Sequence, residues 1–273
     1  MKIMVAGLGL IGGSAAKALR RAGYIADGWD RDNVVQSAVK EGVIGAKAEN
    51  FEEYDIVFVA LPPDFTVEFI CKNKFSQGAI VADFCGVKHE PEEKICAIKR
   101  NFRYVGCHPM AGKEVSGFCN SDENLFDGAS MIIVRAKDTD AAAVETLEHL
   151  YREMGFTEIV YCDSEYHDKK IAYTSQLAHI VSNAYVKSPT ADGYTGFTGG
   201  SFQDMTRIAG VDENVWTRLY FLNRKNIADE LSGLISRLKK YRQALENGRE
   251  DELYDLLKEG RLRKEKLDKE GKN

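Results

Sequence analysis

Over roughly the first 160 positions, apolar residues cluster in short runs. The runs lie at 2–6, 24–30, 55–61 (closed by Pro62-Pro63), 79–84, 103–107, 130–135 and 157–161. Runs that are mostly apolar, rather than apolar at every second residue, suit strands covered on both faces. Between them, 14–22, 32–41 and 140–154 carry apolar residues at helical spacing. Strands alternating with helices predict a doubly wound α/β fold with a parallel sheet. The pattern changes near Ser164. No strand-like run follows, and 165–186 reads as one long helix. A glycine-rich polar break spans 188–200. Helical periodicity resumes at Phe202 and runs almost to the end, with Asp212 placed as an N-cap. The nearly all-charged stretch 261–273 is expected to fray. The expected architecture is an N-terminal Rossmann-type domain over 1–164 and an all-α domain over 165–273.

Length and composition change this picture little. The 273 residues are enough for two adequate cores, and 44% hydrophobic with 29% charged residues is ordinary globular usage. A net charge of −5 argues against a nucleic-acid partner, which usually calls for a basic stripe. No apolar stretch reaches the roughly 18 residues of a membrane span. The N-terminal apolar run is too short for a signal peptide, so the cytoplasm is the expected location. Six cysteines lie scattered without a C-x-x-C pair, so neither a metal site nor disulfides are expected. Cys107 invites comparison with a thiol nucleophile, but strand alternation turns it away from the face used by His108.

The chemistry begins at Gly7-Leu8-Gly9-Leu10-Ile11-Gly12, a G-x-G-x-x-G loop after a strand and before a helix. Gly7 permits the tight turn, Gly9 lets backbone approach a pyrophosphate, and Gly12 lets helix pack on strand. The helix start, with Leu10 and Ile11, offers free N–H groups and a positive dipole end to the anion. Asp30 closes the second strand, where a carboxylate can accept from a ribose diol and would repel a 2′-phosphate. That favours NAD over NADP, although neighbouring Arg31 is a guanidinium that could pair with such a phosphate. Leu61, Pro62 and Asp83, at the ends of the next strands, complete the expected cofactor-binding set.

Further along, Val105-Gly106-Cys107-His108-Pro109-Met110-Ala111-Gly112 sets a histidine at a strand end. In open α/β sheets, ligands bind beyond the carboxyl ends of the strands. Together with 83–88 (Asp-Phe-Cys-Gly-Val-Lys) and 199–209 (Gly-Gly-Ser-Phe-Gln-Asp-Met-Thr-Arg-Ile-Ala), these segments resemble the prephenate dehydrogenase and arogenate dehydrogenase family. The resemblance spans nearly the whole chain in its short form. It implies a Rossmann domain, an intertwined helical homodimer, and conversion of prephenate and NAD to 4-hydroxyphenylpyruvate, NADH and carbon dioxide.

By that resemblance, His108 is the catalytic histidine that accepts the ring hydroxyl proton, a role a neutral imidazole suits near pH 7. Arg207 would hold a substrate carboxylate, with Asp204 orienting it or capping the short helix. Gln176 and His179 stand i, i+3 on the long helix and would face the pocket together. Glu114, Gly200 and Trp216 fill out the substrate-binding set. One departure stands out: Gly86 occupies a place where many members carry a serine that links histidine, substrate and nicotinamide. Cys85, a water or another hydroxyl would then supply that contact. The alternatives are arogenate as substrate, a Rossmann-plus-helix reductase acting on 3-hydroxy or imino acids, and a catalytically silent nucleotide-binding regulator.

Overall fold

The computed structural model describes residues 1–270. Seven strands form one sheet among the described residues. They are β1 (Ile3–Ala6), β2 (Ala26–Trp29), β3 (Ile56–Val59), β4 (Ile80–Asp83), β5 (Arg103–Pro109), β6 (Ser130–Val134) and β7 (Glu158–Cys162), in the spatial order β2-β1-β3-β4-β5-β6-β7. Helices α1 (Leu10–Arg21), α2 (Asp32–Lys40), α3 (Pro63–Lys72), α4 (His89–Cys96) and α5 (Ala141–Glu153) connect them. One face of the sheet buries Val5, Phe58, Val105 and Cys107 against Leu19 of α1, Ala38 of α2 and Leu147 of α5. The other buries Met4, Val57, Val81 and Tyr104 against Phe69 and Ile70 of α3 and Ile95 of α4. Both faces of the central strands β1 and β3 are covered, which is why these two read as continuous apolar runs.

The sheet departs from the all-parallel expectation at one place. β5 and β6 run antiparallel, with His108 opposite Ile132. The connecting segment 110–129 holds a single 3-10 turn (Phe118–Asn120) and no crossover helix. Parallel pairing needs such a crossover, so the chain returns antiparallel. The parallel order resumes between β6 and β7 through α5.

After β7 the named elements are helical: α6 (Ser164–Ile171), a π-helical turn (Ala172–Gln176), α7 (Leu177–Tyr185), a 3-10 turn (Pro189–Ala191), α8 (Gly200–Thr206) and α9 (Glu213–Leu222). The long helix anticipated over 165–186 is therefore interrupted by one π turn. Asp212 caps α9 by accepting from Asn214 N at 2.9 Å. These helices share a compact unit with the sheet, Met1–Arg224, and a second unit starts at Lys225. A carboxylate ties the helices after β7 to the sheet. The Asp168 carboxylate of α6 accepts from the backbone N–H groups of Lys88 (2.8 Å) and His89 (3.0 Å), capping α4 from a distant part of the chain.

The second unit contains nearly all of α10 (Arg224–Glu246) and all of α11 (Glu250–Glu270), joined by a turn at Gly248, whose φ is +63°. Tyr241 Oη of α10 donates to the Leu256 carbonyl of α11. The charged end does not fray over 261–270. Arg261–Glu265, Lys264–Asp268 and Lys266–Glu270 pair one helical turn apart, each worth about 0.2–0.5 kcal/mol to a helix. Residues 271–273 of the expected frayed tail lie outside the described residues.

Beneath the carboxyl end of the sheet sits a fully buried ion pair, Lys88 Nζ to Asp83 Oδ1 at 2.6 Å. Tyr104 Oη donates to Asp83 Oδ2 at 2.7 Å and Cys85 N to Oδ1 at 2.8 Å. Removing one partner of such a pair strands a buried charge, which costs about 3–5 kcal/mol. Lys88→Met should therefore lose stability of that order in denaturant unfolding, whereas a loss below about 1 kcal/mol would refute the pair's structural weight.

Candidate active site

The cofactor loop is a cradle in which each glycine has a separate steric reason. Gly7 has φ +87°, and a Cβ there would lie 2.5 Å from the Ala60 carbonyl oxygen. A Cβ on Gly12 would lie 1.7 Å from the Gly7 carbonyl oxygen. At Gly9 a Cβ would meet nothing within 4 Å, so this glycine leaves open space where the other two close it. The start of α1 has no side-chain cap and no acidic residue in its first turn. Its N–H groups, with Leu10 and Ile11, are left to an anion. β1 and β3, whose chain connections leave in opposite directions, end at this point, where nucleotides bind in such sheets. A dinucleotide pyrophosphate fits these features.

Asp30 follows β2 with its carboxylate turned to the loop, accepting from Leu8 N (2.6 Å) and Arg31 N (2.7 Å). The Arg31 side chain extends into solvent. Leu61 packs beside Gly7, and Pro62 is exposed at the start of α3. Asp83 is a correction to the expected cofactor set. Its carboxylate is wholly buried and occupied by Lys88, Tyr104 and Cys85 N. A carboxylate beneath a sheet end must be paired to be buried, and this pairing leaves it nothing to offer a cofactor.

His108 lies at the end of β5 on the sheet face shared with Tyr104, opposite Cys107. Cys107 is a packed strand cysteine whose sulfur accepts from Tyr151 Oη at 3.1 Å, and burial pushes its thiol pKa up to about 12. His108 Nδ1 is 2.9 Å from His167 Nε2, and His167 Nδ1 is 2.7 Å from Asp168 Oδ1. Burial, and next the neighbouring His167, hold the His108 ring well below the ordinary histidine pKa. Burial likewise lowers His167, against the opposing pull of its Asp168 hydrogen bond. A Cβ on Gly86 would lie 3.6 Å from His108 Nε2 and 3.9 Å from a Leu219 methyl, an ordinary contact distance. Residue 86 therefore faces the free nitrogen. Cys85 does not substitute for the absent serine: its sulfur is buried, 3.9 Å from the Leu61 carbonyl.

The remaining candidates lie on the helices after β7 and on the loop after β5. Trp216 stacks on His179 with ring centroids 4.1 Å apart. His179 Nδ1 is 3.0 Å from the Ser175 carbonyl, which makes that nitrogen the donor and leaves Nε2 as an acceptor. Arg207, exposed after α8, forms an ion pair with Glu114 of the loop that follows His108, rather than with Asp204. Gly200 is the first residue of α8. Gln176 is a second correction. The π turn widens the helix at this point, and Gln176 is buried, its Oε1 accepting from Asn223 Nδ2 at 2.6 Å. It does not share a pocket face with His179. Its partner Asn223 also donates to the Asp168 carbonyl at 2.8 Å, fixing α9 to α6. At its other side, Arg218 of α9 holds both carboxylate oxygens of Asp64 in α3.

Sequence reasoning passed over His167, Asp168 and Lys88. The available signal was an adjacent His-Asp pair in the first turns of a helix. Both residues lie on the helix's buried side, where an unpaired polar group would be costly.

Comparison with known proteins agrees with this geometry. A model of the nucleotide-binding domain of prephenate dehydrogenase matches residues 15–160, and a model of its dimerization domain matches 163–259. A Bacillus subtilis prephenate dehydrogenase is 29% identical over 272 residues, covering 94% of this chain and 73% of the relative. The crystal structure of Aquifex aeolicus prephenate dehydrogenase in complex with hydroxyphenyl propionate and NAD+ superposes with a TM-score of 0.86 at 28% identity, covering 98% of each chain. The Synechocystis arogenate dehydrogenase structure gives a TM-score of 0.81 at 26% identity, covering 98% of this chain and all of that one. With its glycine cradle, its strand-end histidine and both family domains in sequence, the chain belongs to the prephenate dehydrogenase family.

Proposed function

We propose that the protein oxidatively decarboxylates prephenate to 4-hydroxyphenylpyruvate with NAD, as a step of tyrosine formation. The observation that carries this reading is His108: a ring held neutral by burial, at the carboxyl end of β5, in a chain of this family. When bound, NAD accepts the hydride from the ring carbinol carbon. His108 takes the hydroxyl proton from the same carbon as the carbonyl forms. The bond to the ring carboxylate then breaks, and its electrons restore aromaticity. Carbon dioxide leaves in that bond cleavage, and the phenolate that remains regains one proton. The step needs no metal and no Schiff-base lysine.

The chain's residues divide the work. Gly7, Gly9, Leu10, Ile11 and Gly12 take the pyrophosphate, Asp30 the ribose, and Leu61 and Pro62 border the same crevice. Arg207 leaves Glu114 to grip a substrate carboxylate in its two-pronged donor geometry. His179, backed by Trp216, offers Nε2 to the substrate. Gly200 at the start of α8 completes the pocket. The partner is a second copy of this chain. Matching of the dimerization-domain model and the exposed Leu238, Leu245, Leu257 and Leu262 on α10 and α11 support a homodimer. No helix among the described residues is long and apolar enough to cross a membrane. We place the enzyme in the cytoplasm, where its free cysteines stay reduced.

Initial rates with prephenate and arogenate, each with NAD and NADP, test the reading. The highest rate is expected with prephenate and NAD, and absence of NADH formation would overturn it. His108→Asn should lower kcat by about 10²–10⁴-fold, the usual contribution of a general base, while NAD binding measured by calorimetry persists. Arg207→Ala should raise KM for prephenate far more than KM for NAD; equal changes would exclude a carboxylate contact. The pH profile has a definite sign. The base works when unprotonated, and burial lowers its pKa, so the acid limb of kcat/KM should lie below the ordinary histidine value of about 6.5. A limb at or above that value would contradict a buried neutral base.

A further inference from the structure

A carboxylate can only accept hydrogen bonds, which sets the protons along the line Asp168–His167–His108. Asp168 Oδ1, 2.7 Å from His167 Nδ1, requires the hydrogen on that nitrogen. Neutral His167 then presents a bare Nε2. At 2.9 Å, His108 Nδ1 must be the donor to it. His108 keeps its remaining lone pair on Nε2, the nitrogen that faces residue 86. Both rings and the carboxylate are held in place by the fold. His167 is essentially inaccessible, and Asp168 is locked by the N–H groups of Lys88 and His89.

We propose that His167, held by Asp168, is a positioning residue that fixes the tautomer of His108, so that Nε2 alone accepts the substrate's hydroxyl proton. This deepens the function proposed above and rests on it for its kinetic consequence. The same line serves the next moment of the reaction. Once His108 is protonated, its Nδ1–H still meets a lone pair on His167, whose own proton points at the Asp168 charge. The cation is thereby stabilised where water is excluded, by the logic that lets a carboxylate orient a histidine base in hydrolases. It also accounts for how a chain with Gly86 manages without a neighbouring hydroxyl. Orientation comes from behind the ring, through Nδ1, rather than from in front.

The test has two readouts. Nitrogen-15 NMR of the NAD-bound protein should show His108 protonated at Nδ1 and bare at Nε2; the opposite tautomer would overturn the proposal. In kinetics, His167→Ala should lower kcat by about tenfold or more, part of the roughly 10²–10⁴ that a general base supplies. KM for prephenate and for NAD should stay within about threefold. His167→Gln, whose side-chain oxygen can accept from His108 Nδ1, should restore most of the lost kcat and the wild-type tautomer. A kcat for His167→Ala within twofold of wild type would refute the role. So would a glutamine variant that folds and shows the wild-type tautomer yet is as slow as the alanine variant. If His167→Ala fails to fold, the wild-type NMR spectrum and the glutamine variant still decide. Should wild type turn over no prephenate, the functional reading fails, while the NMR result judges the tautomer assignment separately.

Discussion

Asp168 holds the arrangement together. One carboxylate on α6 accepts the N–H groups that open α4 and the proton of His167. The first two contacts join a helix that follows the sheet to one that crosses it. The third reaches the histidine at the end of β5. A buried carboxylate with three donors is stable only when all three are present, because each lost partner exposes a charge to a medium that cannot solvate it. The joint between sheet and helices and the placement of the ring that meets His108 consequently share one carboxylate. This couples the chemistry of His108 to the packing of the fold.

A second buried carboxylate follows the same rule with a different outcome. Asp83 takes Lys88, Tyr104 and a backbone N–H at the end of β4. Its lysine reappears in the electrostatics of the site: after burial and His167, the Lys88 cation is a further influence holding His108 neutral. The segment 83–88 thus acts from beneath. Its carboxylate and lysine are spent on each other, yet the lysine adds to the field around His108 and Gly86 leaves the space before Nε2 open.

Much of this was legible in the residues. The glycine loop announced its own geometry, because the conformations at Gly7 and Gly12 exclude any other side chain. The strand-ending His108 and the cap at Asp212 were readable from local chemistry. Misreadings came where a local rule met a distant partner. Asp83 looked like a ligand for a cofactor because strand ends usually face ligands, but its partners lie at 88 and 104. Gln176 looked like a neighbour of His179 because helical spacing says so, until a π turn and Asn223 drew it inward. The antiparallel β6 followed from the absence of a helix in 110–129, a feature visible in the sequence but easily overruled by the α/β rhythm around it.

What the sequence determined by itself is the α/β rhythm, the nucleotide cradle and the strand-end position of His108. These depend on short-range sterics, on periodicity and on residue type, all carried by neighbours in the chain. What only the tertiary structure decided is which partner the Nδ1 of His108 meets. That depends on His167 and Asp168, about sixty residues away along the chain, and on the α4 N–H groups that fix the carboxylate. A tautomer is set by the acceptor that a ring nitrogen meets in space, and such a meeting exists only once the chain has folded.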